Sequence, residues 1–223
     1  MAITYKNVDV LGGEKVCMAL LSGGKKVSAL EKKLGKRPKL EQGEALLLIA
    51  QPKLKNTHVV LMSTETKSQT VEKMRDLGGK FFKESRKSKA NKLAVSLTNF
   101  KDLFGDDASD YLKGFIEGAL LSDYTTTEGK SKPKKSSKAS FEIYHKGAST
   151  NELKALKTSL KESAKMIDAV HFTRRLGDLP GNMMTPTILA DNAASLKASG
   201  LKVTVWDKKK IEKENMGCLL GVN

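Results

Sequence analysis

The chain has 223 residues, 40 of them Lys or Arg against 25 Asp or Glu, a formal net charge of +15 and a mean hydropathy of -0.38. That length supports one large or two small domains, each with a real hydrophobic core. Apolar runs such as Ala45–Ala50 and Val59–Met62 are far too short to span a bilayer, and the first ten residues lack the basic start and apolar stretch of a secretory signal. Membrane and secreted classes are therefore not expected, and a cytoplasmic protein is.

Residues 3–10 and 14–21 read as strands, the second running into Gly23-Gly24. Ala45–Ile49 and His58–Met62 are short apolar runs that suit strands covered on both faces. Thr70 is placed to cap a helix reaching about Lys83, and Lys92–Leu97 returns to strand. Asp107 to about Ser122 has helical spacing, with Leu112, Phe115, Ile116 and Ala119 on one face. Ser140–Tyr144 alternates as a strand. From about Asn151 to Leu176 the apolar residues Leu153, Leu156, Leu160, Ala164 and Ile167 recur at helical spacing. Asp178-Leu-Pro-Gly-Asn182 interrupts that helix. Thr185-Pro186 then starts another, with Thr185 as N-cap and Pro186 at the first helical position, and Gly200 ends it. Leu201–Trp206 is expected to be a strand, Asp207 to cap a helix through Asn215, and Cys218–Val222 to begin one more strand. Strand and helix alternate throughout, which argues for an α/β fold with a mostly parallel or mixed sheet.

The positive charge is spread along the chain. Residues 1–150 carry 28 basic and 17 acidic side chains, and residues 151–223 carry 12 and 8. Arginine occurs only at 37, 75, 86, 174 and 175, which leaves 35 lysines. Proteins that read base edges favour the bidentate fork of Arg, whereas a lysine surface serves first as solvation. The densest run, Lys130–Lys138, has five lysines in nine residues, contains Pro133 and has no aromatic residue to stack on bases. It reads as a solvated loop. A basic nucleic-acid- or nucleotide-binding module is the alternative that the charge keeps open.

No constellation in the sequence carries chemistry. His58, His145 and His171 fall in separate segments, without the spacing of a metal site. Asp106, Asp107 and Asp110 sit at a helix start, where they complement the dipole. Cys17 and Cys218 have no neighbouring His and fit a reduced thiol pair. Gly12-Gly13 and Ser22–Lys26 lack the spacing of a phosphate loop and read as turns. The chain stops inside an apolar stretch just after a new βα-type unit has begun, and fewer than about 40 residues rarely bury a core alone. An incomplete chain, or one that docks onto another, is expected.

Two segments carry a family resemblance. Phe115-Ile-Glu-Gly-Ala-Leu-Leu-Ser-Asp-Tyr124 resembles the Glu-Gly-x-x-Leu-x-x-Tyr helix of the leucyl aminopeptidase (cytosol aminopeptidase) family. Arg175-Leu-Gly-Asp-Leu-Pro-Gly-Asn-Met-Met-Thr-Pro186 is similar to that family's junction motif, and Leu189-Ala190, Val203–Trp206, Ile211, Met216-Gly217 and Leu220-Gly-Val222 follow in the family's order. The resemblance covers roughly residues 45–223. It implies a macro-domain-like N-terminal domain with a mixed sheet (1–150), a linker helix (151–177) and the first elements of an α/β peptidase domain (178–223). It further implies a cytoplasmic hexamer that removes N-terminal residues from peptides with two divalent metals, Zn or Mn. The metal ligands and catalytic residues of that family lie beyond the position matching Asn223. No catalytic, cofactor-binding or metal-ligating residue is therefore assigned in this chain, which is expected to be inactive alone, to serve assembly and active-site access, and to need a C-terminal catalytic half.

Overall fold

The apolar runs at 16–21, 59–62 and 93–95 are buried along their whole length, which requires cover on both faces of a sheet. A computed structural model supplies that sheet; it describes residues 3–7, 16–21, 40, 44–51, 57–64, 68–90, 92–126, 128 and 140–221. The strands are β1 (Ile3–Lys6), β2 (Val16–Leu21), β3 (Ala45–Gln51), β4 (Thr57–Met62), β5 (Lys92–Ser96) and β6 (Ser140–Tyr144). They lie in the order β1-β6-β5-β2-β4-β3, all parallel except β3, which runs antiparallel to β4. The expected mixed α/β sheet is what the chain forms. Gly12-Gly13, Ser22–Lys26 and Lys130–Lys138 lie outside the described residues.

Seven α-helices occur among the described residues: α1 (Val71–Ser85), α2 (Leu97–Phe104), α3 (Ala108–Leu121), α4 (Thr150–Asp178), α5 (Pro186–Ser195), α6 (Lys208–Lys213) and α7 (Gly217–Leu220). Thr70 caps α1 by accepting from the Lys73 N–H, Thr185 caps α5 and Asp207 caps α6, as their side chains predict. Gly200 closes the turn after α5 at φ 85°, a left-handed conformation that suits glycine.

One sheet face carries Cys17, Ala19, Leu21, Val60, Met62, Leu93, Val95, Phe141 and Ile143. It packs on Met74, Phe81, Phe100, Leu112, Phe115, Ile116, Leu156, Leu160 and Ile167 from α1–α4. The opposite face is smaller, with Val16, Met18, Leu20, Val59, Leu61, Ala94 and Tyr144 buried together and Leu40 against them. Asn99, at the start of α2, is buried and fastens the end of β2: its Oδ1 accepts from the Leu21 N–H (3.0 Å) and its Nδ2 donates to the Leu21 carbonyl (3.3 Å). Both backbone groups at the end of a buried strand are thereby satisfied.

The chain divides into two compact units. The first comprises residues 1–127 and 132–172, the second residues 128–131 and 173–223. In the second, two sequence expectations fail. Residues 201–206 alternate like a strand but have no ladder partner among the described residues. Cys218–Val222, expected as a strand, begins in a helical turn instead. The Leu219 and Leu220 N–H groups donate to the Met216 carbonyl, at 3.1 and 3.2 Å, so local bonds form where no strand partner lies alongside. Leu201, Val205, Trp206 and Leu219 are exposed.

Candidate functional site

Two buried carboxylates organise the polar interior of the first unit. Glu117 of α3 is almost wholly buried. Its Oε2 accepts from Arg75 Nε of α1 (2.8 Å) and its Oε1 from Ser163 Oγ of α4 (2.5 Å). Arg75 also reaches Glu72, so one guanidinium serves two carboxylates. Close helix contact makes this possible, because a Cβ on Gly118 would lie 1.8 Å from the Arg75 carbonyl oxygen.

Glu142 of β6 lies on the smaller sheet face. Its Oε2 accepts from Lys6 Nζ of β1 (2.9 Å) and from the Tyr144 hydroxyl (2.8 Å), and its Oε1 lies 3.6 Å from Lys92 Nζ of β5. Lys6 Nζ also stands 5.7 Å from the Tyr144 ring centroid. Burial pushes the Glu142 carboxyl up, but the hydrogen bonds from Lys6 and Tyr144 and the charges of Lys6 and Lys92 outweigh it and hold the group below its ordinary range. Burial and the adjacent Glu142 push the Tyr144 hydroxyl upward. Sequence reasoning missed this cluster because its members come from three strands, with Lys6 and Glu142 136 positions apart.

A lowered carboxyl pKa stabilises the fold fully above the unfolded value of about 4.3, and that gain is lost as pH falls through the folded value. Thermal unfolding of wild type and Glu142→Gln should therefore differ at pH 7 and converge in acid. A gap that stays constant down to pH 3 would show that the carboxylate charge is not what matters.

The candidates read from sequence do not converge. His58 opens β4, His145 follows β6 and His171 lies in α4, 5.4 Å from the Tyr124 ring between centroids. Each keeps a buried ring nitrogen without a hydrogen-bond partner among the described residues: Nδ1 of His58 and His145, Nε2 of His171. Asp106, Asp107 and Asp110 are exposed around the start of α3, and Asp107 makes no side-chain cap bond there. No group of three His, Cys, Asp or Glu side chains suited to a metal occurs among the described residues.

Cys17 is fully buried, and burial pushes its thiol up to about 12 against a hydrogen bond from Ser88 that acts in the opposite direction. A thiolate is the reactive form, so this residue is inert in the folded chain. A thiol reagent should titrate the exposed Cys218 at once and Cys17 only in denaturant. Two fast equivalents would contradict this burial.

The described geometry thus provides buried ion clusters that bind elements together, and no reactive centre among those residues. Comparison with known proteins gives the scaffold its meaning. The profile described as "Cytosol aminopeptidase family, N-terminal domain" matches residues 22–133, half of the chain, and "Cytosol aminopeptidase family, catalytic domain" matches residues 171–223. The chain belongs to the cytosol aminopeptidase family.

A probable cytosol aminopeptidase of Bdellovibrio bacteriovorus is 45% identical over 119 residues, covering 52% of this chain and 23% of that protein. A tomato leucine aminopeptidase mutant has a similar fold at 15% identity, with a TM-score of 0.74 over 96% of this chain and 46% of that one. The bottromycin maturation enzyme BotP in complex with Mn follows at 19% identity, with a TM-score of 0.63 over 89% and 39%. This cytosol aminopeptidase chain therefore spans less than half the length of each of these proteins.

The family's signature residues are structural in this part of a cytosol aminopeptidase. Glu117 and Gly118 make the α1–α3 contact described above. In the junction motif, Arg175 donates to Glu128 (3.2 Å) and to Asn192 of α5 (3.1 Å), and the Pro180 carbonyl accepts from the Met183 and Met184 N–H groups (2.8 and 2.9 Å). Thr185 then starts α5.

Proposed function

We propose that this chain supplies the N-terminal region of a metal-dependent leucyl aminopeptidase, which removes N-terminal residues from peptides. The observation that carries this reading is that profiles of the family's N-terminal and catalytic domains match in order along one chain. We assign residues 1–150 to a macro-domain-like N-terminal domain, 151–177 to a linker helix and 178–223 to the start of the peptidase domain. In this reading the chain contributes assembly, as part of a cytoplasmic hexamer, and access to an active site built by a C-terminal catalytic half.

The described residues do not fit a two-metal centre. Glu117 and Glu142 are already held by Arg75, Lys6 and Lys92, and the three histidines stand on separate elements. A two-metal site needs clustered ligands, with the metals spaced to act on one substrate. The metals, Zn or Mn, are therefore assigned to residues of the catalytic domain outside those described. The Mn named for BotP supports that chemical class.

Hydrolysis of leucine p-nitroanilide tests the reading, with Mn or Zn added to this chain alone and to the chain combined with the remaining catalytic domain of the Bdellovibrio relative. We expect no turnover from the chain alone and turnover from the combination. Turnover by the isolated chain would overturn it. A second reading, a nucleic-acid- or nucleotide-binding role, is favoured by one observation, the exposed lysines Lys154, Lys157, Lys161 and Lys165 on the side of α4 away from its buried residues.

A further inference from the structure

β1 and β3 form the two edges of the sheet, and they are built differently. β1 has four residues and carries the half-exposed Lys6, the kind of charge that keeps an edge strand from pairing. β3 has seven residues, Ala-Leu-Leu-Leu-Ile-Ala-Gln, and none is charged. Beyond it no further strand lies among the described residues. A long apolar edge without a protecting charge is a template for another strand.

The ladder shows which backbone groups face outward. The Ser63 N–H donates to the Glu44 carbonyl (3.1 Å), and the register continues with Ala45 opposite Met62, Leu46 opposite Leu61, Leu47 opposite Val60 and Leu48 opposite Val59. Antiparallel pairs alternate between hydrogen-bonded and not. Glu44, Leu46 and Leu48 therefore turn their N–H and C=O groups to β4, while Ala45 and Leu47 turn theirs to the open edge. The register shifts after Leu48, so the regular part of this edge is centred near Leu47. The side chains of Ala45 and Leu47 pack against the main core and are only partly buried, so the apolar cover is incomplete at the same place.

We propose that β3 pairs with β3 of a second copy of this chain, antiparallel about a two-fold axis at Leu47, which joins two six-stranded sheets edge to edge. The strand's own sequence selects this occupant. With Leu47 opposite Leu47, Leu46 falls opposite Leu48 and Ala45 opposite Ile49, aliphatic against aliphatic at each position. The flanks are opposite in charge: Glu41 and Glu44 precede the strand, and Lys53 and Lys55 follow it. Antiparallel pairing sets the acidic end of each copy beside the basic end of the other. Parallel pairing would set like charge on like. A contact of one edge with itself about a two-fold is closed, so it gives a dimer and not a filament. The inference rests on the assembly role proposed above and names a surface for it. Mass and cross-linking read this pairing and turnover reads the peptidase role, so either can fail while the other stands.

Sedimentation equilibrium of the full chain should give a dimer, twice the 24.3 kDa of one chain, in reversible exchange with monomer. L47K places two ammonium groups across the axis and should weaken dimerisation about 100-fold. Because Leu47 also touches the core, L47C/C218S supplies an independent readout, with the exposed Cys218 thiol removed. A hydrogen-bonded antiparallel pair holds its Cα atoms about 5.5 Å apart, within disulfide reach. Under mild oxidation L47C/C218S should form a covalent dimer far faster than T4C/C218S, which places the thiol at the exposed Thr4 of β1. Faster cross-linking of L47C supports the pairing even where L47K fails to fold. A wild-type chain that stays monomeric overturns it. So does a folded L47K that dimerises like wild type, or L47C cross-linking no faster than T4C.

Discussion

Gly118→Ala should destabilise the first unit by about 3–4 kcal/mol, a large effect for one methyl group. In most helix interiors the same change stabilises, because Ala is a better helix former than Gly by about 1 kcal/mol. Here the sign reverses. The new Cβ would lie 1.8 Å from the Arg75 carbonyl oxygen and 2.5 Å from its carbon, so α3 must move away from α1. Gly78→Ala on the other helix meets the Phe115 carbonyl oxygen at 1.9 Å and should cost as much. Its neighbour supplies the control. A Cβ on Gly79 meets the Ser122 hydroxyl at 2.9 Å, which can rotate away, and the Gly118 carbonyl oxygen at an ordinary 3.7 Å, so Gly79→Ala should stay within about 0.5 kcal/mol of wild type. Urea unfolding of the three variants measures all of this. If Gly118→Ala and Gly79→Ala have equal midpoints, the close helix contact is not a source of stability.

Glu117→Ala should cost about 3–5 kcal/mol, because it deletes the acceptor shared by Arg75 and Ser163 in a buried place. The residual cost lies in what is left behind: a guanidinium without its inner partner, and a Ser163 hydroxyl whose remaining bond is to the Ser159 carbonyl, at 3.1 Å. Ser163→Ala alone should cost about 1–2 kcal/mol. The two changes act on one network, so the double variant should lose less than the sum of the two. Strict additivity would separate Ser163 from Glu117 energetically and contradict the 2.5 Å hydrogen bond.

The sequence disclosed most of the first unit, and the reasons are physical. β2 and β4 are continuous apolar runs, α4 has a sustained helical period, and Thr70, Thr185 and Asp207 are side chains whose chemistry marks a helix start. These signals are local. Helix α2 was not anticipated because it follows β5 without a turn, with Ser96 ending the strand and capping the helix, and it has only eight residues. The alternation at 201–206 promised a strand, but alternation names a face and supplies no neighbour. Nor did the sequence expose the ion clusters. Glu117 and Glu142 looked like ordinary acidic residues of a helix and a strand; their partners Arg75, Ser163, Lys6 and Lys92 arrive from other elements through the fold. The family motifs were legible as motifs. Their work, closing α1 on α3 and clamping the start of α5, depends on neighbours that only the fold brings together.

The place of β1 in the sheet also governs when it can form. Among the described residues Ile3–Lys6 pairs with Phe141–Tyr144 alone, so β1 has no seat until β6 has been made. At the usual pace of synthesis, about 5–20 residues per second, the N-terminal segment waits on the order of 10 s. Parallel pairing over such a separation is slow to close, since the loop entropy is lost before any ladder bond is gained. β1 is thus a late arrival whose docking carries Lys6 to the carboxylate of Glu142, and that ion pair reports that the sheet has been completed.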